Sequence, residues 1–130
     1  MEPIYEDDKD LSECEAIIMK TIWDEGEDIS LSDLTDRLRE HYGKEYARTT
    51  LVTFLLRMNG KGFVKTYRIG RKSYVTATRS EEEYKQKRLE AETDFWYGGR
   101  KLNLFSALCQ GERIPEEDIV EMRRILDGMD

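Results

Sequence analysis

Apolar residues recur at helical spacing through the first half of the chain, and polar capping signals mark where the helices begin. Ser12 with Glu15 three residues later forms a capping box, and Ser30 with Asp33 repeats that pattern. A third helical stretch runs over residues 48–59. The predicted core-facing positions are Cys14, Ile17, Ile18, Met19 and Ile22 in the first helix, Leu31, Leu34 and Leu38 in the second, and Leu51, Phe54, Leu55 and Met58 in the third.

The spacing of apolar residues becomes strand-like after Gly62. Residues 63–68 and 73–77 are rich in β-branched and aromatic side chains, and the junction between them contains Gly70, which a tight hairpin turn favours. We therefore predict a two-stranded ribbon. Three helices followed by a hairpin are typical of the winged form of the helix-turn-helix motif.

Three further helices are predicted in the C-terminal part of the chain. Ser80 with Glu83 is a third capping box and begins a long helix that extends to about Trp96, before a glycine pair. A short helix follows, and Pro115 begins the last one. These helices are too short to bury both of their faces within one chain, so we expect their apolar stripes to meet a second copy. The predicted dimerisation residues are Tyr84, Phe95, Leu102, Phe105, Leu108, Ile119, Met122 and Leu126.

The net charge of the chain argues against a nucleic-acid partner, whereas the distribution of charge along the chain indicates one. The 130 residues carry a formal net charge of -7. The balance is -10 over residues 1–40, +8 over residues 41–80 and -5 over residues 81–130. A basic middle third in an acidic chain indicates a polyanion partner for one surface, with ordinary solvated surface as the alternative.

The third helix of a winged helix enters the major groove of DNA, while the hairpin touches the adjacent backbone. With its apolar face inward, this helix presents a threonine-rich face, and threonine can bond base edges and pack on the thymine methyl group. A merely solvent-exposed surface would more often use Lys, Glu or Ala, because threonine is a poor helix former. We predict base contacts from Thr49, Thr50, Val52 and Thr53, and phosphate contacts from Arg48, Arg57, Lys61, Lys65, Arg68, Arg71 and Lys72.

The predicted fold is therefore mainly α with a small antiparallel β-hairpin. We divide the chain into a winged helix-turn-helix DNA-binding domain over residues 1–79 and a helical dimerisation domain over residues 80–130. The longest apolar run, Ala16 to Met19, is far shorter than the roughly 20 residues of a membrane span. Acids such as Glu6, Asp7 and Asp8 stand where a signal peptide needs a basic start, so we expect a cytoplasmic protein.

Cofactor and catalytic chemistry are not expected. Cys14 and Cys109 lie far apart without a CxxC spacing, which predicts free thiols and no metal site. The single histidine, His41, has no nucleophile or metal-ligand spacing beside it, which argues against an enzyme. A winged helix that binds another protein, or an anti-repressor that mimics DNA through its acidic first helix, remains the alternative to a DNA-binding protein.

Several segments, in their order and spacing, resemble the penicillinase repressor family, which includes β-lactamase, methicillin-resistance and copper-transport repressors. The segments are residues 15–23, residues 48–58 with Lys61-Gly62-Phe63, residues 80–84, Tyr97-Gly98-Gly99 and residues 116–126. The resemblance implies a homodimeric repressor on a dyad operator. It also implies release through a membrane-bound sensor metalloprotease that responds to an antibiotic or stress signal and cuts the repressor in its dimerisation region.

The chain departs from the family pattern at several positions. Ala47 replaces the usual serine or threonine cap before the third helix, and Val52 replaces a basic residue that is common on the exposed face of that helix. In the resistance repressors of the family the cut follows an asparagine, whereas the matching place here is near Ala107-Leu108 and Asn103 is offset from it. The chain lacks the paired Cys-x-Cys motifs of copper members, so copper sensing is not expected.

Overall fold

A computed structural model of the protein describes residues 10–129, so the acidic residues Glu6, Asp7 and Asp8 lie outside the described part. The described residues form two compact units, divided between Tyr84 and Lys85. The elements, in chain order, are α1 (Glu13–Glu25), β1 (Ile29–Ser30), α2 (Leu31–Tyr42), α3 (Arg48–Gly60), β2 (Val64–Ile69), β3 (Lys72–Ala77), α4 (Glu81–Tyr97), α5 (Lys101–Gln110) and α6 (Glu116–Asp127). The fold is mainly helical with a small antiparallel sheet, as predicted.

The capping signals act at the helix ends where they were predicted. Glu15 N–H donates to Ser12 Oγ, and Ser12 N–H donates to Glu15 Oε1 over 2.8 Å, which completes the capping box of α1. Gly26 ends α1 with a left-handed φ of 79°, a backbone conformation that favours glycine. At α2, Ser30 Oγ accepts from Asp33 N–H. Local hydrogen bonding therefore fixes these helix boundaries.

The sheet contains one strand more than the predicted ribbon. The strand order is β1-β3-β2, and the short strand β1 pairs Ile29 with Val75 in antiparallel orientation. Two residues are too few to show strand periodicity, and Ser30 also caps α2, so β1 was missed. The β2–β3 hairpin turns through Gly70 and Arg71, and Gly70 has a φ of 62°, as a two-residue type II′ turn needs at its first position.

One apolar cluster holds the N-terminal unit together. It contains buried residues from α1, α2, α3 and all three strands, including Ile18, Leu34, Leu51 and Val75. The predicted core positions of α3 are buried except Phe54, which is half-buried beside Tyr46. Packing of the amphipathic helices against one face of the sheet thus forms a core from which α3 and the hairpin project their other faces.

Tyr84 belongs to this N-terminal unit. Its ring lies 5.1 Å from that of Phe63 and 5.9 Å from that of Trp23, measured between centroids, and its hydroxyl accepts from the backbone N–H of Leu11. Trp23 in turn donates from Nε1 to the carbonyl of Arg79. Tyr84 was predicted to lie on the dimer surface, but these contacts give it a role within the core of the N-terminal unit, and we leave it out of the proposed dimer surface.

The C-terminal unit has almost no core of its own. Among its described residues, 85–129, Thr93 alone is buried. A mostly apolar cavity of about 570 Å³ opens between α4, α5 and α6, with Leu89, Leu102, Phe105 and Leu126 in its wall. Phe95 and Trp96 are 75% and 66% exposed. Within residues 10–129, no helix is both long and apolar enough to cross a membrane.

Candidate nucleic-acid interface

The four predicted base-contact residues share the exposed face of α3. Leu51, Leu55 and Met58 are buried in the core and fix the rotation of the helix. The opposite face is exposed throughout and is formed by Thr49, Thr50, Val52, Thr53, Leu56 and Arg57. We call this set the reading face. Its mixture of hydroxyl and methyl groups suits the donor, acceptor and methyl pattern of a major groove.

The hydroxyl of Thr53 is oriented by the helix itself. Thr53 Oγ1 donates to the carbonyl of Thr49 over 3.0 Å. Because the hydroxyl proton is used within the helix, the free lone pairs of Thr53 face outward as acceptors. Thr53 is therefore suited to accept from adenine N6 or cytosine N4 rather than to donate to a guanine.

The hairpin divides the predicted phosphate-contacting residues between its two faces. Arg68 lies opposite Ser73 in the β2–β3 register, on the same face as the buried Val75. Lys65 and Lys72 lie on the other face, and the exposed Arg71 lies at the tip. Arg68 thus faces the side of the hairpin on which α3 packs, whereas Lys65 does not.

A cleft of about 220 Å³ separates α3 from the hairpin. Arg48, the first residue of α3, donates from Nη2 to Ser73 Oγ on β3 over 3.3 Å. Val52 and Leu56 of the reading face line the cleft together with Arg68. The structure therefore brings the reading face, Arg48 and Arg68 together on one side of the N-terminal unit.

Lys61 occupies a different setting from the other predicted phosphate contacts. Its ammonium donates to Glu15 Oε1 over 2.6 Å and to the carbonyl of Asp10 over 2.8 Å. The Glu15 side chain is only 1% exposed. Burial raises the pKa of Glu15, but the hydrogen bonds from Lys61 and Ser12 outweigh it and hold that pKa below its ordinary value. We assign Lys61 to this ion pair and leave it out of the proposed phosphate contacts.

Arg57 is an exposed cation at the C-terminal end of the reading face. Its guanidinium lies 5.9 Å from the ring centroid of Phe54, one turn back along α3. A cation–π contact of this kind restricts the orientation of the side chain without neutralising its charge. The guanidinium of Arg57 therefore stays exposed and charged, and its contact with a phosphate remains a prediction.

The structure also shows an aspartate that orients the hairpin and that was not among the predicted site residues. Tyr67 donates its phenolic proton to Asp28 Oδ2 over 2.6 Å, and its ring stacks on Tyr74. The pKa of Asp28 is lowered mainly by the hydrogen bond from Tyr67 and less by one from Thr76. The hydrogen bond with Asp28 in turn raises the pKa of Tyr67. Asp28 falls in an acidic run that resembles ordinary solvated surface, so nothing in the sequence signals this role.

The predicted cleavage region lies within a helix. Ala107 and Leu108 are residues of α5, with Ala107 half-buried and Leu108 exposed. Asn103, one turn earlier, donates from Nδ2 to the carbonyl of Tyr97 over 3.2 Å. A protease needs an extended segment, so cutting at Ala107-Leu108 requires α5 to open locally first.

Three comparisons with known proteins bear on the family of this chain. A family model described as penicillinase repressor matches residues 11–128. An uncharacterized 16.5 kDa protein in the ptsI 3′ region of Latilactobacillus sakei is 26% identical over 121 residues, which cover 93% of this chain and 81% of that protein. The solution structure of the DNA-binding domain of the repressor BlaI is similar at 27% identity and a TM-score of 0.48, over 57% of this chain and 87% of that domain. Because the family model spans most of the chain, the protein belongs to the penicillinase repressor family of DNA-binding transcriptional repressors.

Proposed function

We propose that the protein is a cytoplasmic repressor that binds a dyad operator as a homodimer, with one reading face in each of two successive major grooves. The observation that supports this proposal best is the reading face itself, which is exposed, threonine-rich and bordered by Arg48 and Arg68. Thr50 and Thr53 are the principal candidates for base contacts. Arg48, Arg57, Arg68 and Arg71 position the domain on the phosphates, together with Lys65 and Lys72.

The C-terminal unit supports a second copy of this chain as the protein partner. Its apolar cavity wall is exposed in the single chain, and the unit has almost no buried residues among those described. Large apolar side chains that stay exposed together on a small helical unit are typical of a protein–protein interface. Two-fold pairing would bury the same wall on both copies and place two reading faces on a dyad operator.

We further propose that a membrane-bound sensor metalloprotease relieves repression, as membership of the penicillinase repressor family suggests. Leu102 and Phe105 lie on one side of the Ala107-Leu108 bond, and Leu126 lies on the other, all three in the cavity wall. A cut in this bond would divide the apolar wall that supports dimerisation. Loss of the dimer would then release the operator, because each half-site alone is bound weakly.

The salt dependence of DNA binding tests the proposal against a protein-binding winged helix or an anti-repressor. We expect the purified protein to select a dyad sequence from random DNA, and its affinity to fall tenfold or more between low and moderate salt if about six phosphates are contacted. The measurement is a fluorescence anisotropy titration at several salt concentrations. DNA affinity that is absent, or independent of salt, would contradict the proposal and favour a protein partner.

Two substitutions separate base reading from phosphate contact. Thr53→Ala is expected to cost about 1–3 kcal/mol on the selected operator and to relax the preference at one base position. Arg71→Ala should weaken binding to the operator and to random DNA by similar factors and lower the salt slope by about one. Competition titrations with both duplexes measure these effects. Equal losses on operator and random DNA for both variants would show that α3 does not read the sequence.

A further inference from the structure

Arg48 and Ser73 lie where two cavities meet at the junction of α3 and the hairpin. The larger cavity is the cleft already described, and the smaller one has a volume of about 140 Å³. Both contain Arg48 and Ser73 in their walls, and the smaller cavity adds Ser32 from the first turn of α2 and Arg71 from the hairpin tip. Residues from α2, α3 and the hairpin therefore converge on the Arg48–Ser73 pair.

Positive charge is concentrated around this pair without a matching acid. Arg68 lies directly opposite Ser73 in the β2–β3 register and lines the cleft, and Arg71 lines the smaller cavity. Among the described residues that line either cavity, none carries a carboxylate. Guanidinium groups gathered in this way repel one another unless an anion lies among them. The arrangement is suited to an anionic ligand.

The hydrogen bonding leaves donors free for that ligand. Ser73 accepts from Arg48 and so retains its own hydroxyl proton for donation, while Arg48 keeps the remaining N–H groups of its fork. Ala47 supplies no side-chain acceptor at the start of α3, so the first backbone N–H groups of that helix also lack a cap. A tetrahedral phosphate can accept hydrogen bonds from several such donors at once. Planar guanidinium groups are well suited to donate these bonds, because each can donate two parallel hydrogen bonds to a phosphate.

We propose that Arg48, Arg68, Arg71 and Ser73 form one phosphate seat, in which Ser73 is a positioning residue that holds the Arg48 guanidinium between α3 and the hairpin. The ligand is a phosphate group, either of the DNA backbone or as free inorganic phosphate, and the DNA form rests on the proposed function. Ser73 carries no charge and was not among the predicted contacts. The seat differs from independent phosphate contacts because its members act as a unit.

Coupling between Arg48 and Ser73 tests the phosphate seat on a random-sequence DNA duplex. Ser73→Ala and Arg48→Lys are each expected to weaken binding about tenfold, since each removes a hydrogen bond to a charged group while keeping the net charge. The double variant should also lose about tenfold rather than about a hundredfold, because the two residues serve the same phosphate. The phosphate seat would be overturned if the double variant lost about a hundredfold in DNA affinity, or if Ser73→Ala lost none.

Two matched variants exclude general effects of mutation. Ser73→Thr keeps the hydroxyl and suits a strand, so it should retain the affinity of the unsubstituted protein. Lys65→Ala removes a charge from the opposite face of the hairpin, and its loss should multiply with that of Ser73→Ala. A Ser73→Thr variant as weak as Ser73→Ala would assign the effect to strand packing and contradict the positioning role.

Inorganic phosphate gives a readout that does not depend on DNA. Phosphate, compared with chloride at matched ionic strength, is expected to raise the Tm of the unsubstituted protein and not that of Ser73→Ala. Phosphate stabilisation without DNA binding would keep the phosphate seat and reject the proposed function. The opposite result would keep the proposed function and reject the phosphate seat. In that case DNA binding depends steeply on salt, phosphate does not raise the Tm, and the affinity losses of Ser73→Ala and Arg48→Lys multiply in the double variant.

Discussion

Leu102→Asp is expected to convert the protein from a dimer to a monomer and to lower its affinity for a dyad operator by about a hundredfold or more. Leu102 is 56% exposed in the single chain and lines the apolar cavity of the C-terminal unit. In a two-fold dimer the substitution places a carboxylate in the interface on both copies, where neither finds a partner. Sedimentation at micromolar concentration and operator titration measure the two effects.

Val120→Asp is the matched control for this prediction. Val120 lies on α6, is 48% exposed and lines none of the described cavities of the C-terminal unit. The Val120→Asp substitution should therefore leave both the dimer and the affinity for the operator unchanged. Leu102→Asp should still bind random DNA as a monomer with a reduced salt slope, because the N-terminal unit retains its own core. A stable Leu102→Asp dimer would contradict the proposed interface.

Much of the secondary structure could be predicted because the signals that specify it are local. Capping serines and chain-breaking glycines mark the helix ends, and the spacing of apolar residues gives the buried face of α3 correctly. The exposure of the reading face followed directly from that rotation. The strand β1 was missed because its two residues form no pattern and its pairing with β3 joins positions far apart in the chain.

Pairings between side chains that lie far apart in the sequence could not be predicted from local sequence patterns. Glu15 was predicted as a cap of α1, and its Oε1 does serve the cap, but the same oxygen also accepts from Lys61, 46 positions away. Lys61 was predicted to contact a phosphate because it is basic and lies close to the hairpin in the sequence. Ser73 was not predicted as a site residue, because a single serine in a strand is common. Its place between Arg48 and Arg68 follows from the pairing of the strands and from its hydrogen bond with Arg48.

The ion pair between Lys61 and Glu15 supports the largest expected loss of stability. Lys61→Met keeps the length of the side chain but removes the ammonium, which leaves the carboxylate of Glu15 buried with only its capping bonds. Breaking a buried pair in this way costs about 3–5 kcal/mol in the free energy of unfolding. Lys65→Met, on an exposed hairpin position, should change stability by less than about 0.5 kcal/mol. Urea unfolding at neutral pH measures both values.

The pH dependence of this loss identifies Glu15 as its source. The folded-state pKa of Glu15 lies below its ordinary value, so the pair contributes stability above the ordinary carboxyl pKa and loses it as the pH falls through the folded pKa. Without Lys61, burial should raise the pKa of Glu15, and the penalty of Lys61→Met should shrink in acid as Glu15 takes up a proton. Adding Glu15→Gln to Lys61→Met should recover part of the stability at neutral pH. A penalty that is equal at neutral and acidic pH, together with a lower salt slope of DNA binding for Lys61→Met, would instead return Lys61 to the phosphate contacts.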